Sequence, residues 1–224
     1  MIRAVLFDFD GLIRDTETKE YESFRMLYRA YGAELPLERY LVRIGGEANS
    51  FNPYDHLLQG MGSRTGLDLE TARRERRSYY DQLMEHEFAR PGVEEYLSAA
   101  KRLGLLTGLV SSAPLDWVMP NLEQLKLTEQ FDCILTHEDA VRVKPDPELY
   151  IKALAWLNIG SAEAVAFEDS PNGAAAAKSA GLYTVIVPND LTRPLHFAAY
   201  DMRLNSMLDL SLDQLIGRLH HAVG

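Results

Sequence analysis

Residues 7–17 of the chain, FDFDGLIRDTE, set two aspartates, Asp8 and Asp10, directly behind the apolar run Ala4-Val5-Leu6-Phe7. Two later apolar runs stop in the same way. Gly108-Leu109-Val110 meets Ser111-Ser112, and Ala164-Val165-Ala166-Phe167 meets Glu168-Asp169, while Lys144 stands in the loop VKPDP. A carboxylate is ionised at neutral pH and can attack phosphorus. A second carboxylate two residues on can protonate the leaving oxygen and later activate water. A hydroxyl and an ammonium can then hold the oxygens of the transferring phosphoryl group.

Several carboxylates in one place repel. Two unit charges about 4 Å apart cost roughly 4 kcal/mol at an effective dielectric near 20. Either one group takes a proton or a cation sits between them. The available ligands are hard oxygens, with no His or Cys among them, which favours Mg²⁺ over Zn²⁺.

Such a site needs elements that carry distant segments to one place. Residues 2–9 read as a buried strand, and 16–32 as a helix that Thr16 can cap and Gly32 can stop. Helix-like stretches near 36–44, 53–60 and 68–88 follow, with no strand pattern among them. After Pro91-Gly92 the pattern alternates. Helices at 92–103, 114–127, 147–158 and 171–180 interleave with strands at 105–110, 132–136, 164–167 and 183–187, and a last amphipathic helix spans 208–221. Pro120 makes the first turns of the 114–127 helix uncertain.

This order predicts an α/β fold: a Rossmann-like parallel-sheet core, residues 1–14 and 89–224, with an all-helical cap domain, residues 15–88, inserted in it. Right-handed crossovers bring the C-terminal strand ends to one edge, where ligands bind in such sheets. Asp8, Asp10, Ser111, Glu168 and Asp169 are therefore expected to meet there, with Lys144 on the same rim.

The bulk numbers agree. At 224 residues and 46% hydrophobic, the chain can build a core and a smaller inserted unit. The net charge of −10 and pI near 5.1 argue against nucleic acid as the main partner. Cys133 is the only cysteine, so no intrachain disulfide can form. The first residues open a strand pattern rather than a leader, and no apolar run approaches a membrane span. The expectation is a soluble cytoplasmic protein acting on a small phosphorylated metabolite, with no nucleic acid or membrane partner.

Four stretches in order, DFDGLIRDTE (8–17), LVSSA (109–113), VKPDPELY (143–150) and FEDSPNGAAAAKSAG (167–181), resemble the haloacid dehalogenase superfamily. The likeness is to its β-phosphoglucomutase-like branch with a helical cap. That resemblance implies Asp8 as the nucleophile that becomes aspartyl-phosphate. It implies Asp10 as general acid/base and, through its backbone carbonyl, a metal ligand. It implies Ser111, with Ser112 beside it, and Lys144 as phosphate-binding residues, and Asp8, Asp10, Glu168 and Asp169 as the Mg²⁺ site. Thr16 falls near the hinge into the cap, and the polar loop from Gly45-Gly46 to Asn52 is a candidate substrate-reading loop.

The implied activity is a Mg²⁺-dependent phosphatase for a small phosphomonoester. Asp10 sets the chain apart from dehalogenases of this superfamily, which lack the second aspartate. Phosphonate-cleaving relatives use a cap lysine, and here the cap holds only Lys19. The alternative is a sugar-phosphate mutase. Mutases resemble one another in a Lys-Gly-x-x-Arg stretch, which here reads Arg43-Ile44-Gly45-Gly46-Glu47-Ala48 with neither basic residue in place. A catalytically idle sugar-phosphate sensor is the third reading, and the intact motifs argue against it. The run Arg73-Arg74-Glu75-Arg76-Arg77 reads as a solvated helix face, and Trp117 and Trp156 as packing residues.

Overall fold

The computed structural model describes residues 1–45, 51–61 and 66–222. Its centre is a six-stranded sheet in the order β3-β2-β1-β4-β5-β6, parallel at every pairing. The strands are β1 (Ala4–Phe7), β2 (Leu106–Val110), β3 (Cys133–Leu135), β4 (Ala164–Glu168), β5 (Tyr183–Ile186) and β6 (Met202–Arg203). The chain thus has the expected α/β Rossmann-like fold.

Every residue of β1 and β4 is buried, because both faces of the sheet are covered. Val5 and Phe7 pack on one side against α5 (Val93–Arg102), α6 (Leu115–Leu125) and α9 (Leu212–Ala222). Ala4 and Leu6 pack on the other against α7 (Glu148–Leu157) and α8 (Pro171–Ser179). Each fully buried side chain of this kind contributes about 1.5–3 kcal/mol.

Between β1 and α5 run α1 (Thr16–Ala30), α2 (Leu37–Gly45), α3 (Pro53–Met61) and α4 (Leu69–Met84). They share an apolar cluster around Phe24, Leu27, Tyr28, Tyr40 and Leu57, which Leu191 after β5 joins.

Three details depart from expectation. Asp15, not Thr16, caps α1, its carboxylate accepting from the Thr18 N–H at 3.2 Å. Helix α6 runs from Leu115 with Pro120 inside it. The short edge strand β6 had no sequence signal, since two residues show no period. No described helix is long and apolar enough to cross a membrane.

Candidate active site

Strand register sets the level of each polar group. Phe7 pairs with Leu109 on one side and Phe167 on the other, so Asp8, Val110 and Glu168 stand level at the C-terminal rim. Ser111 and Asp169 follow one residue beyond. Lys144 enters from the loop between β3 and α7. Its Nζ donates to Asp8 Oδ1 at 2.5 Å and to the Val110 carbonyl at 2.7 Å, and pairs with Glu168 Oε1 at 2.7 Å. Tyr150 on α7 donates its hydroxyl to the same Glu168 oxygen at 2.5 Å.

Asp8, Glu168 and Asp169 are buried, and one oxygen from each lies within 4.8 Å of the others. Burial raises the pKa of all three, Glu168 to about 7 and Asp169 well above the carboxylate range. Burial works against the charge of Lys144 as well, but Asp8 and Glu168 outweigh it and push its pKa up. Lys144 thus pairs with two of the three carboxyls, and Arg90 acts on Asp169 from nearby. Glu168 Oε2 is buried and has no hydrogen-bond partner. A hard divalent cation fits this donor set in charge and in ligand type.

Two glycines leave room for these carboxylates. A Cβ on Gly173 would overlap the Glu168 carboxylate, and one on Gly11, at φ +81°, would overlap Asp169 and Asn189.

The carboxylate of Asp10 is not part of that group. Its Oδ1 accepts from the Thr16 hydroxyl at 2.8 Å and from the Trp117 indole N–H at 2.9 Å. Any ligation by Asp10 at the three-carboxylate cluster would thus fall to its backbone carbonyl, as the resemblance implies. Burial lifts the Asp10 pKa to about 6, partly opposed by the Trp117 bond. Trp117 is therefore more than the packing residue expected from sequence. Trp156 is not one either, being largely exposed on α7.

Ser111 is buried, and its Oγ accepts from the Ala113 N–H at 3.0 Å. Ser112 Oγ is buried without a partner, free to donate to an anion. These serines, Lys144, Asp8 and Asp10 line a cavity of about 450 Å³ together with Glu17 and Glu20 of α1 and Arg43 of α2. A larger cavity of about 750 Å³ lies between α4 and α6 and holds none of the strand-end groups. Gly45 ends α2, while Gly46, Glu47 and Ala48 fall outside the described residues.

Three contributors were missed in the sequence. Asn189 donates its amide to Asp169 Oδ2 at 2.8 Å, and its own Oδ1 is fixed by the Leu191 and Thr192 N–H groups. It follows the fifth strand, so the strand-end rule applied once more would have found it. Arg90 ties the Gly11, Val187 and Pro188 carbonyls together behind the acids. Glu17 brings a third carboxyl near Asp8 and Asp10, its Oε2 buried and unpartnered. No spacing signal marks it.

Comparison with known proteins gives a consistent picture. Residues 5–187 match the family described as haloacid dehalogenase-like hydrolase. The chain is 46% identical to the Bacillus subtilis protein named "Putative phosphatase YhcW" over 98% of its own length and 99% of that protein's. It is 30% identical to a phosphorylated carbohydrates phosphatase of Thermotoga maritima, covering 81% of this chain and 82% of that one. Among solved structures, CbbY from Rhodobacter sphaeroides in complex with phosphate superposes with a TM-score of 0.69 at 31% identity, covering 96% of this chain and all of that one.

Proposed function

The chain belongs to the haloacid dehalogenase-like hydrolases, and on that premise we propose that its strand-end site removes the phosphoryl group from a small phosphorylated sugar or polyol. The chain is a phosphoric monoester hydrolase; the residue roles that follow are our reading. Asp8 attacks phosphorus and becomes an aspartyl-phosphate as the bond to the leaving oxygen breaks. Asp10 gives that oxygen its proton, and a burial-raised pKa near 6 suits a group that must hold a proton and later take one back. Water then attacks the aspartyl-phosphate, Asp10 accepts its proton, and phosphate and free Asp8 are restored. Lys144, Ser111 and Ser112 hold the phosphoryl oxygens.

Asp8, Glu168 and Asp169, with the Asp10 carbonyl, would hold Mg²⁺, which when bound offsets the negative charge shared by carboxylates and phosphate. The support is the excess of buried acid over base and the unpartnered Glu168 oxygen.

Helices α1–α4, within residues 15–88, act as a cap over the core of residues 1–14 and 89–224, closing to exclude water and reopening for release. Thr16 sits at the hinge. Within the cavity, Arg43 is paired with Glu20 at 3.5 Å, and Glu17 adds a further carboxyl. A wall so supplied with acid favours a leaving group rich in neutral hydroxyls over one bearing a second phosphate, which favours hydrolysis over a mutase reaction. A lone, buried Cys133 suits a reducing compartment such as the cytoplasm.

The single observation carrying this reading is Lys144 held between Asp8 and Glu168 at the rim. The test is release of phosphate from aryl and sugar phosphates. Turnover should require Mg²⁺, stop on chelation, and be abolished in Asp8→Asn. Full activity of that variant would refute the reading.

A further inference from the structure

Two hydrogen bonds hold the Asp10 carboxylate. Carboxylate torsions are broad and roughly two-fold, so an acid that must present one oxygen needs something to choose it. Both hydrogen bonds to Asp10 end on the same atom, Oδ1: the Thr16 hydroxyl at 2.8 Å and the Trp117 indole N–H at 2.9 Å. A carboxylate oxygen has two lone pairs, so these donors fill Oδ1. They come from two separate helices. Thr16 begins α1, and Trp117 stands in the first turn of α6.

Trp117 is itself fixed. Its backbone N–H bonds to the Pro114 carbonyl at 3.0 Å, its carbonyl accepts from the Asn121 side chain at 2.8 Å, and its ring lies against Tyr80 of α4 with centroids 5.9 Å apart. Asn121 in turn accepts from the buried Arg14 at 2.5 Å. The indole N–H has no second function in a hydrophobic core, and here it is aimed at a carboxylate beside the cavity.

We propose that Trp117 is a positioning residue for phosphoryl transfer: its N–H, with the Thr16 hydroxyl, holds Asp10 Oδ1 so that Oδ2 carries the proton delivered to the leaving alcohol. The inference rests on the reading of Asp10 as general acid. In the step concerned, the bond from Asp8 to phosphorus forms, the bond to the leaving oxygen breaks, and the Oδ2 proton moves to that oxygen. The water that later attacks phosphorus restores it.

The test compares aryl phosphates of graded leaving-group acidity with Mg²⁺ present, read as kcat/KM, which reports steps through the first transfer only. In Trp117→Phe, kcat/KM for phenyl phosphate should fall by about tenfold or more, within the range that proton transfer contributes. For 2,4-dinitrophenyl phosphate, whose leaving phenolate needs no proton, it should stay within about threefold. A purely structural role would lower both alike, so equal losses, or no loss on either, overturn the proposal.

Asp10→Asn and Asp8→Asn are run beside it. A flat Trp117→Phe response with a steep Asp10→Asn response removes Trp117 alone. A flat Asp10→Asn response, or turnover by Asp8→Asn, removes the underlying reading and the proposal with it. If Trp117→Phe does not fold, benzothienylalanine at position 117 of a Trp156→Phe chain replaces the N–H by sulfur with the ring area kept, and the same criterion applies.

Discussion

Lys144 Nζ lies 2.5 Å from Asp8 and 2.7 Å from Glu168, joining the end of β1 to the end of β4 through a single ammonium. All three groups are almost wholly withdrawn from water. A charge in that setting cannot be replaced by solvent, and its loss leaves two buried carboxyls facing each other.

Lys144→Met should therefore lower kcat/KM for phosphate release at least about 100-fold, the scale at which removal of a single charge-stabilising donor is felt. Lys144→Arg should not restore it, because a planar guanidinium cannot reproduce the ammonium's contacts to Asp8, Glu168 and the Val110 carbonyl. Steady-state kinetics on an aryl phosphate checks both.

Gly173→Ala offers a test in which helix propensity and the site pull in opposite directions. Gly173 lies in α8, where alanine would ordinarily stabilise by up to about 1 kcal/mol. Here the new Cβ would overlap the Glu168 carboxylate. The Mg²⁺ concentration giving half-maximal activity should rise about tenfold or more, read from a Mg²⁺ titration of turnover.

Glu17 predicts a pH dependence of stability. Burial, with Asp10 and Asp8 nearby, pushes its pKa from 4.5 up to about 8, opposed by the nearby Asn189 amide. A carboxyl raised in the folded state adds nothing unfavourable below its unfolded value. It weakens the fold progressively as pH rises from about 4.5 towards 8. Glu17→Gln should thus raise the Tm at pH 8 and change it little at pH 5, as followed by thermal melts in the absence of Mg²⁺.

Arg14, 1% exposed, donates to the carbonyls of Met84, which ends α4, and of Glu87 beyond it, and to Asn121 and Gln124 on α6. Arg14→Leu would strand several of these acceptors, at about 1–3 kcal/mol for each one left dry. The neighbouring cavity lets water reach some of them. A net loss of about 3 kcal/mol in urea unfolding is expected.

The site was legible in the sequence where it obeys strand logic. Asp8, Ser111, Glu168 and Asp169 stand at the ends of apolar runs, and parallel topology brings such ends together whatever lies between them. Lys144 was expected on the same rim from its loop, and only its phosphate-binding role came from the resemblance, since a lysine in a polar loop has no period of its own. Trp117 and Glu17 were not legible, because a helix pattern fixes which face a residue occupies but not which distant atom it meets. Thr16 was misplaced as a cap for a related reason: Asp15 and Thr16 both suit the position, and only the fold shows the Thr16 hydroxyl committed to Asp10. Strand bounds moved both ways, β1 ending before its expected limit and β4 running one residue past its apolar run to Glu168, because chain pairing, not hydrophobicity, ends a strand. Of the expected strand 2–9, regular strand spans only Ala4–Phe7, with backbone bonds continuing at Arg3 and Asp8.

The central claim is that Asp8 becomes phosphorylated during turnover. Acid-quenching the enzyme with Mg²⁺ and an aryl phosphate, then reducing with borohydride and sequencing the peptides by mass spectrometry, tests it most directly. The account predicts that the acyl-phosphate is converted to homoserine at position 8 and nowhere else. Steady phosphate release with an unmodified Asp8 peptide, or the label on another carboxyl, would contradict it.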